Sequence, residues 1–340
     1  MSVTRLKELL QAAVTLELST IPPYLCALYS MHPHGNDEAK LVIRSVVVEE
    51  MLHMVLAANT LNAIGGRPLV AGGEHVPRYP HELPDGVVLD LLPFSPEAVE
   101  AFLAVENPGH SVHTALDPAT RRHEHHISKA VETANGPTTI GEFYAEIVAL
   151  LDETANDIGE AALFSGDPAR QVTREYYYAA GGGSITVSDL ASAHAALAEI
   201  VEQGEGEMHS MYDDEGDLAH YFRFQQLKHG RAYVPEDDAG EPSGAPVSVD
   251  YAASYPMLAN PRTAEYGDPE LRAVSDTANR AWSELLVQLE RSFNGEPAEL
   301  IPAVHSMFKL RDAALVLLAN PVAEHPGRHA GPTFEWLERV

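Results

Sequence analysis

Residues 48–54 read VEEMLHM, in the middle of the apolar run SVVVEEMLHMVLAANTLNAIGG (residues 45–66). A helix ready for burial does not ordinarily carry two glutamates and a histidine at its centre, because burying unpaired charge is costly. A bound metal ion is the simplest compensation. Glu50 and His53 stand at i and i+3, so they share one helix face and can reach one ion. A four-helix bundle builds a dimetal carboxylate site from such parts: two helices each give a Glu, and two each give Glu-x-x-His.

Working outward, the first helix is expected over about residues 4–31, with Leu6, Leu9, Leu10, Ala13, Val14 and Leu18 at three- and four-residue steps and a kink at Pro22-Pro23. The second is expected over 37–65, capped by Asp37 and stopped at Gly65-Gly66. A loop-rich insertion follows over 67–135, where only short helices such as SPEAVEAFLAV (95–105) are expected. Periodicity returns over 138–159 and over 188–212, the latter with Ser188 or Asp189 as its cap, and further helices are expected over about 217–230, 268–293 and 296–319. Strand signal is slight. The pattern predicts an all-α four-helix bundle in a single domain over 1–340, with a long insertion and extra C-terminal helices.

The other long helices offer matching ligands. Glu17 lies in AAVTLELSTIPPY, and Glu146 lies in FYAEIVALL. The fourth helix offers Glu205 and His209, four apart rather than three, beside the poor helix formers Gly204 and Gly206. His220, in AHYFRF, rivals His209 for the last position. A single Glu-x-x-His is a weak signal; its weight comes from one matching set on each helix, in bundle order. Tyr24, Tyr29, Tyr144 and Tyr221 are candidate donors to the ligands. HEHH (123–126) falls in the loop region and reads as a solvated or substrate-facing stretch, and Cys26 as a small buried residue.

The formal net charge of −28 argues against nucleic acid and anionic membranes as partners, and fits a protein acting on small molecules. One cysteine excludes an intrachain disulfide. The N-terminus has no signal-peptide pattern and no run is apolar enough to span a membrane, so a cytoplasmic location is expected. Homo-oligomerisation is left open.

LELSTIPPYLCALYS (16–30) followed by VVVEEMLHMVLAANTLNAIGG (46–66) resembles the ferritin-like domain of the iminophenyl-pyruvate dimer synthase type, as found in violacein and rebeccamycin pathway enzymes. VEQGEGE (201–207), AHYFRF (219–224) and AGPTFEW (330–336) are similar to it as well. The resemblance implies a ferritin-like fold, a metal centre on Glu17, Glu50, His53, Glu146 and Glu205 with His209 or His220, and a setting in secondary metabolism. It does not carry the indolic coupling chemistry, since those chains are much longer and their coupling is associated with haem. The expected function is a non-haem dimetal oxidoreductase: two metal ions, iron first with manganese or copper as alternatives, activate O₂ against a small molecule. Arg78, His113 and His123 are the candidate substrate contacts. The alternatives are a metal-storage or handling protein without an organic substrate, and a metal-free interaction module.

Overall fold

The computed structural model describes residues 2–83, 86–108, 139–177, 181–205, 210–213 and 216–338. Two long helices lead, α1 (Ser2–Ser30) and α2 (Asp37–Ala63). They are followed by α3 (Pro96–Val105), α4 (Ile140–Ile158), the short α5 (Glu160–Leu163), α6 (Leu190–Glu205), α7 (His220–His229), α8 (Pro269–Ser292) and α9 (Leu300–Leu318). The described strands are two residues each, His81–Glu82 paired antiparallel with Val88–Leu89. The fold is all-α, as the sequence predicts.

Four helices close a ring: α1 packs on α2, α2 on α6, α6 on α4, and α4 back on α1. The short connection from α1 to α2 makes those two antiparallel neighbours. The inward stripe of α1 runs Leu6, Leu9, Leu10, Ala13, Val14, Glu17, so Glu17 takes a core position on the helix's own periodicity. On α2 the stripe is Ile43, Val46, Val47, Glu50, His53, Met54 and Ala57. Beyond this ring, α3 packs on α7, which also touches α2 and α6, while α8 and α9 pair with each other and α9 reaches α1.

The ends obey local chemistry, with some differences from the sequence expectation. α1 runs as one helix through Pro22 and Pro23. Pro23 has no N–H to give the Ser19 carbonyl, and the Tyr79 hydroxyl supplies the missing donor at 2.7 Å. The cap position of α2 is Asn36, in the left-handed region at φ 55, and Asp37 is already helical. Gly65 ends the helix at φ 72, with the amides of Gly65 and Gly66 returning to the carbonyls of Asn62 and Leu61. Thr139 caps α4 by accepting from the Glu142 amide at 3.1 Å. Asp189, rather than Ser188, accepts the Ser192 amide at 2.8 Å at the head of α6. α6 is described as far as Glu205, and residues 210–213 are not helical, so the helix stops short of the expected 212.

Candidate metal centre

At the middle of the ring, α1 and α2 bring Glu17, Glu50 and His53 together, all nearly inaccessible. Two further residues arrive from outside the four helices. Glu106 is the C-cap of α3, a helix set by the Ser95 cap and Pro96 at its first position, with Ala98, Val99, Phe102 and Leu103 buried. His220 opens α7 and is completely buried. The rings of Tyr24, Phe102 and Phe224 pack against one another at centroid separations of 4.6, 5.3 and 5.1 Å. That aromatic trio ties α1, α3 and α7 together beside the cluster and fixes where Glu106 and His220 end up.

The imidazole of His220 reads out the local chemistry. Its Nε2 lies 2.9 Å from Glu49 Oε2, and Glu49 in turn accepts from Arg223 Nη1 at 2.8 Å. A carboxylate there places the ring proton on Nε2. Nδ1 then faces inward, 3.0 Å from Glu50 Oε1 and 3.5 Å from Glu106 Oε2. It makes no hydrogen bond in that position and is a buried, orphaned polar atom. His53 repeats the arrangement. The Gln203 amide nitrogen donates to Gly181 O at 3.1 Å and Glu199 Oε1 at 2.9 Å, so its oxygen must face His53 Nε2, at 3.0 Å. His53 Nδ1 is left turned toward Glu17 Oε2 at 3.6 Å. Both histidines therefore present Nδ1 to the carboxylates, and their rings stack at 5.3 Å. Ligating atoms of Glu50, His53 and His220 all lie within 4.8 Å of one another.

The carboxylates are held from behind. Thr20 Oγ1 donates to Glu50 Oε2 at 2.8 Å, while the Tyr24 hydroxyl donates to Glu106 and the Tyr144 hydroxyl to Glu17. Burial, with the neighbouring carboxylates, raises both phenols well above their usual range, so both stay protonated donors. Burial and the nearby Glu106 push the Glu50 carboxyl up to about 7. Burial pulls His220 down, but Glu106, Glu49 and Glu50 outweigh it and hold the imidazole well above its ordinary value. For Glu49, burial is outweighed by His220 and Arg223, and its carboxyl lies below the usual range. Carboxyls and imidazoles crowded together out of water, holding protons that a cation would displace, form a donor set that fits a metal.

Glu146, expected as a ligand, points elsewhere: it is exposed on the outer side of α4 and lies 3.5 Å from Arg5. The buried stripe of α4 is Phe143, Tyr144, Ile147 and Leu151, and it is Tyr144 that reaches the cluster. Glu205 is buried beside Glu106, and its Oε1 accepts the Gly141 amide at 2.7 Å. A Cβ at position 141 would sit 2.5 Å from that carboxylate, so only glycine permits the approach. Burial pushes Glu205 up to about 7. Of the two rival histidines, His220 is in the cluster, whereas His209 lies outside the described residues. His113, His123 and the HEHH stretch also lie outside them. Arg78 is exposed and lines a cavity of about 430 Å³ with Tyr79, Arg262 and Trp336. None of the cluster residues lines that cavity. Sequence reasoning missed Glu106, Gln203 and the role of Glu49; the signal for Glu106 was an acid closing a short apolar helix inside the insertion.

A larger cavity, about 780 Å³, opens beside the cluster and is lined by Glu49, Arg223, Arg44, Val48, Leu218 and Tyr233 among others. Through Glu49 it lies one hydrogen bond from His220.

No curated protein matches the chain. A solved structure, that of a ferritin-like protein from Caulobacter vibrioides, is 23% identical, covering 92% of this chain and 94% of that one with a TM-score of 0.61; the likeness is one of fold. The family model described as Ferritin-like matches residues 10–229. That span starts in the first turns of α1, closes at the end of α7 and takes in every residue converging on the two imidazoles, and by it the chain belongs to the ferritin-like family.

Proposed function

We propose that the protein is a non-haem dimetal oxidoreductase, with iron the first choice of metal, that uses O₂ to oxidise a small molecule. The observation that carries this reading is the pair of imidazoles whose tautomers are fixed from outside, by Gln203 and Glu49, so that both Nδ1 atoms face buried carboxylates. Glu17, Glu50, His53, Glu106 and His220 would hold the ions. When bound, redox-active metals supply electron transfer to O₂ and Lewis acidity.

The chain's own residues do the rest. Tyr24, Tyr144 and Thr20 hold three carboxylates in place through donors that stay protonated. Burial of all five ligating side chains keeps bulk water out. The Arg223–Glu49 pair holds the His220 ring proton on its outer nitrogen and leaves the inner one as a ligand. The cavity beside Glu49 favours an organic substrate over simple metal storage, since storage needs no such space. The resemblance of residues 16–30 and 46–66 to the iminophenyl-pyruvate dimer synthase type supports a secondary-metabolic setting.

Metal content per chain is the test, measured in protein prepared without chelators beside a Glu50→Ala, His53→Ala double variant. About two redox-active ions per wild-type chain, lost in the variant, with O₂ consumed as the ferrous protein is oxidised, is the expected result. Absence of stoichiometric metal in the wild type after anaerobic iron loading overturns the reading.

A further inference from the structure

We propose that the outer face of α9 is a self-association surface, on which a second copy of this chain lays its own α9 antiparallel. Eight large apolar side chains are exposed among the described residues, and five of them are on α9: Ile301, Val304, Phe308, Leu315 and Val316, at 37%, 46%, 52%, 37% and 47% exposure. Their order is regular. Positions 301, 304, 308, 311 and 315 alternate steps of three and four, the spacing of a helix-pairing seam. Arg311 fills the fourth position and lies over the Phe308 ring, 5.3 Å from its centroid. A neighbouring face of α9 is already used, with Leu300, Ala303, Leu310, Ala314 and Leu317 buried. Among the described residues the helix thus has two apolar faces and one covering.

The uncovered face does not stop at the helix. Ile301 and Val304 run into a groove of about 190 Å³ with Met51, Met54, Tyr177 and Met307. A contiguous apolar patch of this kind marks an interaction site. A helix of this length, about 28 Å, does not by itself give the ~800 Å² per partner of a standard interface, so the groove joins the seam.

Charge selects the occupant. The chain carries −28 overall, so two copies repel over most of their surface. On α9 the balance is reversed: it has Lys309 and Arg311 against Asp312 alone, and Asp312 is paired with Arg311 at 3.0 Å. Two acidic copies meet there with little repulsion, whereas the molecule as a whole repels an anionic membrane. The two-fold operation that builds a dimer makes the patch its own complement. In the antiparallel register that centres positions 304–315, Phe308 of one copy stands opposite Arg311 of the other, and Val304 opposite Leu315. Arg311 can then cover the partner's aromatic ring as it now covers its own.

Sedimentation equilibrium on the full chain tests this, with a cross-link to test the register. The wild type should approach twice the 36.9 kDa chain mass, and a Phe308→Glu, Leu315→Glu variant should return to a single chain with an unchanged far-UV spectrum. Leu41→Glu, at a side chain 65% exposed outside the seam, should leave the dimer intact. Because the native Cys26 is buried, a Val304→Cys, Leu315→Cys variant should cross-link between copies under mild oxidation, and either single variant should not. A wild type that stays monomeric at every concentration overturns the proposal. So does a dimer that survives the double glutamate variant, or a monomer whose α9 instead binds phosphatidylcholine vesicles.

Discussion

At the scale of single residues, the centre is defined by which acid faces inward. Glu17, Glu50 and His53 were legible because each falls on the buried stripe of its own helix, and only an inward charge needs compensation. Glu146 was misread for the converse reason. It is two residues from Tyr144, about 200° around the helix, and so on the face opposite the Tyr144, Ile147, Leu151 stripe. Glu106 was unreadable because nothing in its short helix says which distant side chains it will meet. Replacing Glu106 with Ala should lower metal stoichiometry, and Glu146→Ala should leave it unchanged, both read by metal analysis of the purified variants. Glu205 gives a separate expectation. Its carboxyl is raised from 4.5 to about 7, so the folded state holds that proton more tightly than the unfolded one. Its stabilising contribution is complete below pH 4.5 and is lost as the pH rises through about 7. A Glu205→Gln variant keeps an acceptor for the Gly141 amide without the titration. Relative to wild type it should gain stability on the alkaline side, on the order of 3 kcal/mol at most. Urea titrations of both proteins across that pH range check the sign; a constant difference contradicts it.

At the scale of elements, periodicity predicted the helices well and their ends less well. α1 shows why. Two consecutive prolines suggest an interruption, but the chain supplies a donor from another segment, Tyr79, for the carbonyl that Pro23 leaves free. No local pattern announces such a partner. Removing it with Tyr79→Phe leaves the Ser19 carbonyl buried without a donor, at a cost of about 1–3 kcal/mol, and denaturant unfolding of the variant measures it. The insertion over 67–135 was expected to be loop-rich with short helices. Its described part delivers Glu106 on α3, held against Tyr24 and Phe224 by the ring of Phe102. No described helix is long and apolar enough to cross a membrane.

At the scale of the whole molecule, the bundle class and the inward-facing Glu17, Glu50 and His53 were readable because both rest on local repeats of three and four. Closure of the site was not, because it depends on chain segments far apart in sequence. Thr20 and Glu50, which bond within the α1–α2 pair, are 30 residues apart. Tyr24 and Glu106 are 82 apart, and Glu49 and His220 are 171 apart. Bringing such segments together pays loop-closure entropy before any contact rewards it. The aromatic trio that unites α1, α3 and α7 therefore has a consequence in time. During refolding the α1–α2 hairpin can form early with three of the five proposed ligands, and on the proposed reading tight metal capture waits for the last long loop to close. Stopped-flow refolding with Co²⁺ as a spectroscopic probe should show helical ellipticity returning first and the cobalt absorbance later. A His220→Ala variant should keep the first phase and lose the second. The metal would then serve as a clock for the final step of assembly.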